Sequence, residues 1–208
     1  MKTIFFDIGY TLVNEDAVWE RRCKEQAATE EAKKLGLTEV DFFHEIRKAT
    51  IAWLPQFGTL IKKYNFTEVA PYRPELEVLY DEAPQVLKTL SEKYKLGIIA
   101  NQLDGLKERL EGFGILQYFS YVISSADAQV SKPDVRIFEY ALKTAGCSAE
   151  DAVMIGDRLD NDIAPAKSIG MKTVWIKQGF GALQTPMSKD SKPDYEITNL
   201  SELLKINI

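Results

Sequence analysis

Short uninterrupted runs of apolar residues recur along the chain, and each run ends in polar or turn-forming residues. Four runs are strong and a fifth is weaker: Thr3–Phe6, Leu96–Ala100, Ala152–Ile155 and Thr173–Ile176, with Tyr121–Ser124 as the fifth. Continuous apolar runs of this length are typical of strands that are buried on both faces of a parallel sheet. We therefore predict a parallel β-sheet built from these segments.

Stretches in which apolar residues have helical spacing separate the predicted strands. They are Ala83–Tyr94, Gly105–Phe113, Pro133–Ala145 and Asn161–Ile169. Gly146 and Gly170 follow two of these stretches, where the C-terminal cap of a helix needs a left-handed residue. Near the end of the chain, Pro193–Ile197 and Leu200–Leu204 predict a last strand and helix. Strands that alternate with helices in this way predict an α/β fold with a doubly wound parallel sheet.

The segment between residues 15 and 80 follows a different pattern. It contains no convincing strand, whereas Ala17–Leu35 and Val40–Trp53 have helical spacing and prolines and glycines interrupt the rest. We predict that residues 15–80 form an inserted all-helical cap domain, while residues 1–14 and 81–208 form the α/β core domain. A chain of 208 residues is long enough for a core domain with one smaller insertion.

Polar side chains stand at the ends of three predicted strands. Asp7, Asn101 and Asp157 follow strands, and Lys132 begins the helix after the weaker fifth strand. In open α/β sheets, ligands bind beyond the carboxyl ends of the strands. Each of these residues is ordinary by itself, since acids commonly cap helices. Together they predict a binding site with two carboxylates, an amide and an ammonium at one edge of the sheet.

Composition and charge argue against several kinds of partner and metal site. A net charge of -5 argues against a nucleic-acid partner. Cys23 and Cys147 lie far apart and outside any metal-ligand spacing, so we expect two reduced thiols. The single histidine, His44, argues against a histidine-rich zinc site and a histidine-based triad. No segment has the length of a membrane span or the pattern of a signal peptide, so we expect a cytoplasmic protein without a membrane partner.

Four segments resemble, in order and spacing, the motifs of the haloacid dehalogenase superfamily of hydrolases. They are Phe5–Leu12 (FFDIGYTL), Ile98–Gln102 (IIANQ), Ser131–Asp134 (SKPD) and Ile155–Asp162 (IGDRLDND). That superfamily is marked by a strand ending D-x-D-x-T, a strand ending in Ser or Thr, a lysine, and a strand ending in an acidic pair. The helical insertion is similar to its small cap between the first two motifs. The resemblance implies a Rossmann-like core and a phosphatase-type hydrolase acting on a small phosphorylated substrate.

The resemblance also implies a role for each matched residue. Asp7 would be the nucleophile that attacks phosphorus and forms an aspartyl-phosphate. Mg²⁺ would offset the negative charge, held by Asp7, Asp157 and the backbone carbonyl of Gly9. Asp162 would act from the outer shell of the metal, holding a metal-bound water or Lys132. Lys132 would pair with the nucleophile and with the transferring phosphoryl group.

Two further matched residues each have two possible roles. Thr11 resembles the family's hydroxyl that hydrogen-bonds near the nucleophile, and its role is either catalytic or purely structural. Asn101, with the backbone amides around it, would hydrogen-bond the phosphate or the surroundings of the nucleophile. The alternative for Asn101 is that it only forms the turn at the end of its strand.

Two positions depart from the superfamily pattern. Gly9 stands where a second aspartate normally protonates the leaving oxygen and then activates water, and Ala100 stands where Ser or Thr normally contacts the phosphoryl oxygen. Losing general acid–base catalysis typically costs ~10²–10⁴-fold in rate. Either the substrate has a leaving group that needs no proton, such as an acyl or aryl phosphate, or a cap residue supplies the acid. Glu15 and Asp16 are the nearest candidates, and both hypotheses predict that Gly9→Asp raises activity on alkyl phosphates.

Two alternative functions stay open at this point. Metal-free 2-haloacid dehalogenases also lack the second aspartate, but the order Gly9-Tyr10-Thr11 reverses the Tyr-Gly-Thr arrangement of those enzymes. A non-catalytic scaffold that binds metal and phosphate would also account for Gly9 and Ala100, although it would not need Asp7 or Lys132. We therefore favour a magnesium-dependent phosphatase with weakened acid catalysis.

Overall fold

A computed structural model of the protein describes residues 2–102 and 105–206. Residue 1 and residues 103–104 and 207–208, which belong to the predicted core, lie outside the described residues. The strands in chain order are β1 (Thr3–Phe6), β2 (Val13–Asn14), β3 (Val78–Leu79), β4 (Lys95–Ala100), β5 (Phe119–Ser124), β6 (Ala152–Gly156), β7 (Lys172–Ile176) and β8 (Tyr195–Ile197). All five predicted apolar runs coincide with or lie within strands of the structure, and the predicted last strand contains β8.

Six of these strands form one parallel sheet in the order β5-β4-β1-β6-β7-β8. Every residue of β1 is buried, and the reason is that hydrophobic residues cover both faces of the sheet. Ile4 and Phe6 join the hydrophobic cluster on one face, whereas Phe5 joins the cluster on the other. Successive side chains of a strand point to opposite faces, so a strand between two such clusters is apolar throughout. The predicted doubly wound parallel sheet is confirmed.

Helices cover both faces of this sheet and form the inserted segment. They are α1 (Asp16–Ala27), α2 (Glu30–Lys34), α3 (Glu39–Ile51), α4 (Gln56–Tyr64), α5 (Ala83–Ser91), α6 (Leu106–Gly112), α7 (Ser125–Ala128), α8 (Val135–Ala145) and α9 (Ala164–Ser168). Helices α5 and α6 pack on one face of the sheet, and α8 and α9 pack on the other. Within the described residues, no helix is both long and apolar enough to cross a membrane.

Helices α1–α4 form a helical unit with its own hydrophobic cluster, which includes Trp19, Phe42 and Phe57. The stretch 17–35, predicted as one helix, is two helices. Thr29 has an extended backbone and its hydroxyl accepts a hydrogen bond from the Ala32 N–H, which starts α2. Helix α4 was not predicted from the sequence, because Pro55 and Gly58 were interpreted as interruptions there.

An antiparallel two-stranded ribbon, β2 paired with β3, joins the helical unit to the sheet. Val13 pairs with Leu79, and Asn14 pairs with Val78. The inserted segment is therefore not all-helical, because it contains β3, where the sequence pattern indicated no strand, and residues 65–73 form a loop. The chain enters the helical unit directly after β2 and leaves it through β3, so both connections lie side by side in this linker ribbon. The division into residues 15–80 and the remaining core stays a prediction.

Candidate active site

A cavity of about 590 Å³ lies at the carboxyl ends of the central strands, beneath the helical unit. Six of the seven residues to which the family resemblance assigns a role line it: Asp7, Gly9, Asn101, Lys132, Asp157 and Asp162. The remaining one, Thr11, is fully buried and does not line it. Cavities of this size are typical of small-molecule sites. Residues that are far apart in the chain meet here because parallel strands end at one edge.

The ammonium group of Lys132 is buried between two carboxylates. Its Nζ lies 2.6 Å from Oδ1 of Asp7 and 2.6 Å from Oδ1 of Asp162. Burial by itself lowers the pKa of Lys132, but the attraction of the two carboxylates outweighs this and raises the pKa above its ordinary value. Lys132 is therefore a fixed positive charge next to the predicted nucleophile.

The side chain of Asn101 holds the main chain of Lys132. Its Nδ2 donates to the Lys132 carbonyl at 2.8 Å, and its Oδ1 accepts from the Lys132 N–H at 2.7 Å. These two bonds use the amide oxygen and one amide hydrogen. A positioning role for Asn101 thus has direct support, whereas its predicted contact with phosphate stays a prediction.

Three carboxylates form a cluster at the centre of the cavity: oxygen atoms of Asp7, Asp157 and Asp162 lie within 4.8 Å of one another. Asp157 is only 4% exposed, yet its carboxylate receives no hydrogen bond from any described residue. Burial, followed by repulsion from Asp162 and Asp7, raises the pKa of Asp157 well above its ordinary value. An unpaired buried carboxylate among hard oxygen donors fits a divalent cation such as Mg²⁺.

Asp162 has both of its carboxylate oxygens engaged by the protein. Oδ1 accepts from Lys132, and Oδ2 accepts from the backbone N–H of Arg158 at 3.0 Å. Gly156 makes this position possible, because a Cβ atom at residue 156 would overlap the Asp162 carboxyl group. A single π-helical turn, Leu159–Ile163, carries Asp162 at this point, as such turns often do at functional sites. The geometry supports the outer-shell role predicted for Asp162.

The hydrogen bonding of Thr11 differs from what the family resemblance implies. Its hydroxyl is fully buried and has no hydrogen-bond partner among the described residues, so the expected hydrogen bond near the nucleophile is not found there. The backbone of Thr11 does form a turn, in which its N–H donates to the Ile8 carbonyl at 3.1 Å. A structural role in the turn therefore has more support than a catalytic one.

The two acidic residues at the start of α1 lie in different places. Asp16 accepts a hydrogen bond from the Tyr10 hydroxyl at 2.9 Å and lines a second, smaller cavity. Glu15 lines the active-site cavity, where Oε2 accepts from Trp19 Nε1 at 2.9 Å and Oε1 lies 2.7 Å from the Tyr72 hydroxyl. Burial raises the pKa of Glu15 to about 7, although the contacts with Tyr72 and Trp19 oppose the shift.

The helical unit also contributes a cation to the cavity wall. Arg22 donates through Nε to the Ala70 carbonyl at 3.1 Å, and its guanidinium lies 3.7 Å from the centre of the Phe57 ring. Within the described residues, no carboxylate forms an ion pair with Arg22, and burial lowers its pKa. No motif marked Arg22 in the sequence, because its role depends on which face of α1 meets the sheet.

The chain belongs to the haloacid dehalogenase-like hydrolase family, whose model matches residues 4–176. It is 34% identical to the glyceraldehyde 3-phosphate phosphatase of Methanocaldococcus jannaschii, over 99% of this chain and 96% of that protein. A haloacid dehalogenase-type phosphatase from Thermococcus onnurineus has a similar structure, with a TM-score of 0.69, 27% identity and coverage of 99% and 97%. A 2-haloacid dehalogenase from Pseudomonas syringae gives a TM-score of 0.62, 28% identity and coverage of 99% and 97%. The predicted family and fold class are confirmed.

Proposed function

We propose that this protein is a magnesium-dependent phosphatase that hydrolyses a small phosphorylated metabolite through a phosphoenzyme at Asp7. One observation carries the proposal: Lys132 lies 2.6 Å from Asp7, and the unpaired carboxylate of Asp157 lies on the same cavity. An anionic nucleophile that attacks an anionic phosphate needs positive charge around it. Lys132 supplies one such charge, and the carboxylate cluster is suited to hold a second.

The proposed reaction has two steps at Asp7. A carboxylate oxygen of Asp7 attacks phosphorus, and the bond from phosphorus to the leaving oxygen breaks. Water then attacks the phosphoryl group, which releases inorganic phosphate and restores the Asp7 carboxylate. In both steps the Lys132 ammonium stabilises charge on the nucleophile and on the phosphoryl oxygens.

Mg²⁺ would supply further charge neutralisation and would orient the phosphoryl group. Asp7, Asp157 and the Gly9 carbonyl would hold it, and all three residues line the same cavity. Asp162 has both oxygens bonded to Lys132 and to the Arg158 N–H, which suits a supporting position outside the inner ligands. This assignment rests on the donor chemistry of the described residues.

The similarity to glyceraldehyde 3-phosphate phosphatases supports the substrate class. A triose phosphate is therefore the first natural substrate to test, beside the activated substrates acetyl phosphate and p-nitrophenyl phosphate. The cavity, at about 590 Å³, has room for a molecule of that size.

The test is hydrolysis of these three substrates with magnesium, with EDTA, and with Asp7→Asn. Asp151→Asn, a change at an exposed aspartate outside the cavity, is the matched control. We expect magnesium-dependent turnover that Asp7→Asn abolishes and Asp151→Asn leaves unchanged. Turnover that EDTA does not affect would contradict the metal dependence and make a 2-haloacid the next substrate. No turnover above the Asp7→Asn background, with magnesium still bound by calorimetry, would favour the non-catalytic scaffold.

A further inference from the structure

The space beside Gly9 is filled by a carboxyl group from another part of the chain. A Cβ atom added to Gly9 would overlap Oε1 of Glu15 and would lie 2.8 Å from the Glu15 Cδ, closer than a Cβ atom approaches another heavy atom. Residue 9 lies two positions after Asp7, at the wall of the active-site cavity. The carboxyl group of Glu15 therefore stands where a side chain at position 9 would begin.

The contacts of Glu15 form a chain of three oxygen atoms. The Tyr72 hydroxyl lies 2.7 Å from Oε1 of Glu15 and 2.6 Å from Oε1 of Glu77. A phenol has one hydrogen to donate, so it serves only one of these two carboxyl groups. The other short contact requires a proton on the carboxyl group itself, since two acceptors do not hydrogen-bond each other. The three hydrogen-bonded side chains of Glu15, Tyr72 and Glu77 thus hold one carboxyl proton in addition to the phenol hydrogen.

The surroundings of the two carboxyl groups decide which of them carries that proton. Oε2 of Glu77 lies 3.2 Å from Nε of Arg109, a permanent cation; the Glu77 side chain is fully buried and the Arg109 side chain is 16% exposed. Among the described residues, Oε2 of Glu15 accepts only from the neutral indole N–H of Trp19. A cation stabilises the ionised carboxylate more than a neutral donor does. Glu77 is therefore the carboxylate that accepts from Tyr72, and Glu15 is the acid that donates to it.

We infer that Glu15 is the proton donor and acceptor of this active site, in the place that Gly9 leaves open. The inference rests on the proposed phosphatase function. When the phosphorus–oxygen bond to the leaving group breaks, its electron pair stays on the leaving oxygen, which takes the proton from Oε1 of Glu15. The resulting Glu15 carboxylate then takes a proton from the water that attacks the Asp7 phosphoryl group. This second transfer releases inorganic phosphate and restores both Asp7 and the acid.

The first test compares Glu15→Gln with the wild type on substrates that differ in their leaving groups. An alkyl phosphate leaves as a strong base and needs a proton, whereas p-nitrophenolate does not. We expect kcat for the alkyl phosphate to fall ~10²–10⁴-fold, and phosphorylation by p-nitrophenyl phosphate to fall far less. Glu20→Gln, a change at an exposed glutamate of the same helix, is the control and is expected to keep wild-type rates.

The second test follows the phosphoenzyme. With acetyl phosphate that carries a labelled phosphoryl group, Glu15→Gln is expected to form the Asp7 phosphoenzyme but to hydrolyse it slowly. After acid quenching, the labelled phosphoryl group should therefore accumulate to near one per chain. The inference would be overturned if Glu15→Gln lowered kcat for the alkyl phosphate and the rate of phosphorylation by the aryl phosphate equally, with no accumulation of labelled phosphoenzyme. A wild-type protein with neither turnover nor Asp7-dependent label would instead contradict the proposed function, so the two failures are distinguishable.

The third test moves the acid back to position 9. Gly9→Asp alone places a second carboxyl group in the space that Glu15 fills, so the expectation from the sequence that this change raises activity conflicts with the structure. We expect Gly9→Asp alone to lower activity, and Gly9→Asp combined with Glu15→Ala to recover at least tenfold over Glu15→Ala. An increase with Gly9→Asp alone would mean that Glu15 does not already supply the acid. Circular dichroism and melting temperature establish that each variant is folded.

Discussion

Nζ of Lys132 lies 2.6 Å from Oδ1 of Asp7, although the two residues are 125 positions apart in the chain. The same nitrogen lies 2.6 Å from Oδ1 of Asp162. One buried cation therefore holds two carboxylates that would otherwise repel each other. The group that prepares Asp7 for its proposed reaction is also part of what holds the site together.

Removing this cation is expected to cost both stability and activity. Lys132→Met leaves the buried Asp162 and the partly buried Asp7 without their partner, a loss of the kind that typically destabilises by about 3–5 kcal/mol. Lys167→Met is the matched control, because Lys167 forms a more exposed pair with Asp194 at 2.8 Å and should cost at most about 1 kcal/mol. Urea denaturation measures both. Equal effects would show that the Lys132 pairs contribute no more than a surface ion pair.

Magnesium is expected to stabilise the folded protein through Asp157. A ligand that binds only the folded state raises the melting temperature as its concentration exceeds its dissociation constant. Asp157→Asn should remove most of this magnesium-dependent rise, whereas the exposed Asp151→Asn should keep it. Thermal denaturation across a magnesium titration measures the effect. A full rise in Asp157→Asn would place the cation elsewhere.

The stability of the metal-free protein is expected to depend on pH through Glu15. Burial raises the pKa of Glu15 from 4.5 to about 7, so between these values the folded state binds more protons than the unfolded state. The free energy of unfolding therefore falls as pH rises from about 4.5 to 7, by on the order of 3 kcal/mol. Glu15→Gln should lose this component, and Glu20→Gln should keep it. Parallel stability profiles for the wild type and Glu15→Gln from pH 4 to 8 would contradict the expectation.

Arg22 is expected to affect substrate binding more than the chemical steps. Its guanidinium lines the cavity without a carboxylate partner among the described residues, so it is available to oxygen atoms of a substrate. Arg22→Met should raise KM about tenfold or more with a smaller change in kcat. Arg21→Met, on the exposed side of the same helix, is the control. A fall in kcat at constant KM would assign Arg22 to catalysis instead.

The sheet was predictable from the sequence because its strands are buried on both faces. Ala152–Ile155 lies within β6, where every residue is buried, so no polar residue interrupts the apolar run. The convergence of Asp7 and Asp157 followed from the same pattern, because both stand at the carboxyl ends of strands in one parallel sheet. β1 and β6 are direct neighbours in that sheet.

The helical unit was less predictable because tertiary contacts determine where its helices end. Gln26, near the end of α1, donates from its side chain to the Glu68 carbonyl at 2.9 Å and accepts from the Ala70 N–H at 2.8 Å. These partners lie more than 40 positions away. Helical spacing through residues 17–35 contains no sign of that contact, so the break between α1 and α2 was missed.

The position of the Glu15 carboxyl group could not be predicted from the sequence either. Glu15 and Asp16 were both candidates for the missing acid from the sequence, since both lie at the start of the inserted segment. Their separation depends on side-chain direction and on Tyr72, which is 57 positions from Glu15. No spacing rule connects those two residues.

In the proposed reaction, the linker ribbon of β2 and β3 would tie proton supply to the enclosure of the substrate. Glu15 directly follows β2 and Glu77 directly precedes β3, and Trp19 and Tyr72 hold Glu15 from the inserted segment. A tilt of the helical unit about this ribbon would therefore carry the acid away from Asp7. If the helical unit did not close over a phosphate ester, that ester would not be hydrolysed, because it would lack both a proton for its leaving group and contacts with the helical unit.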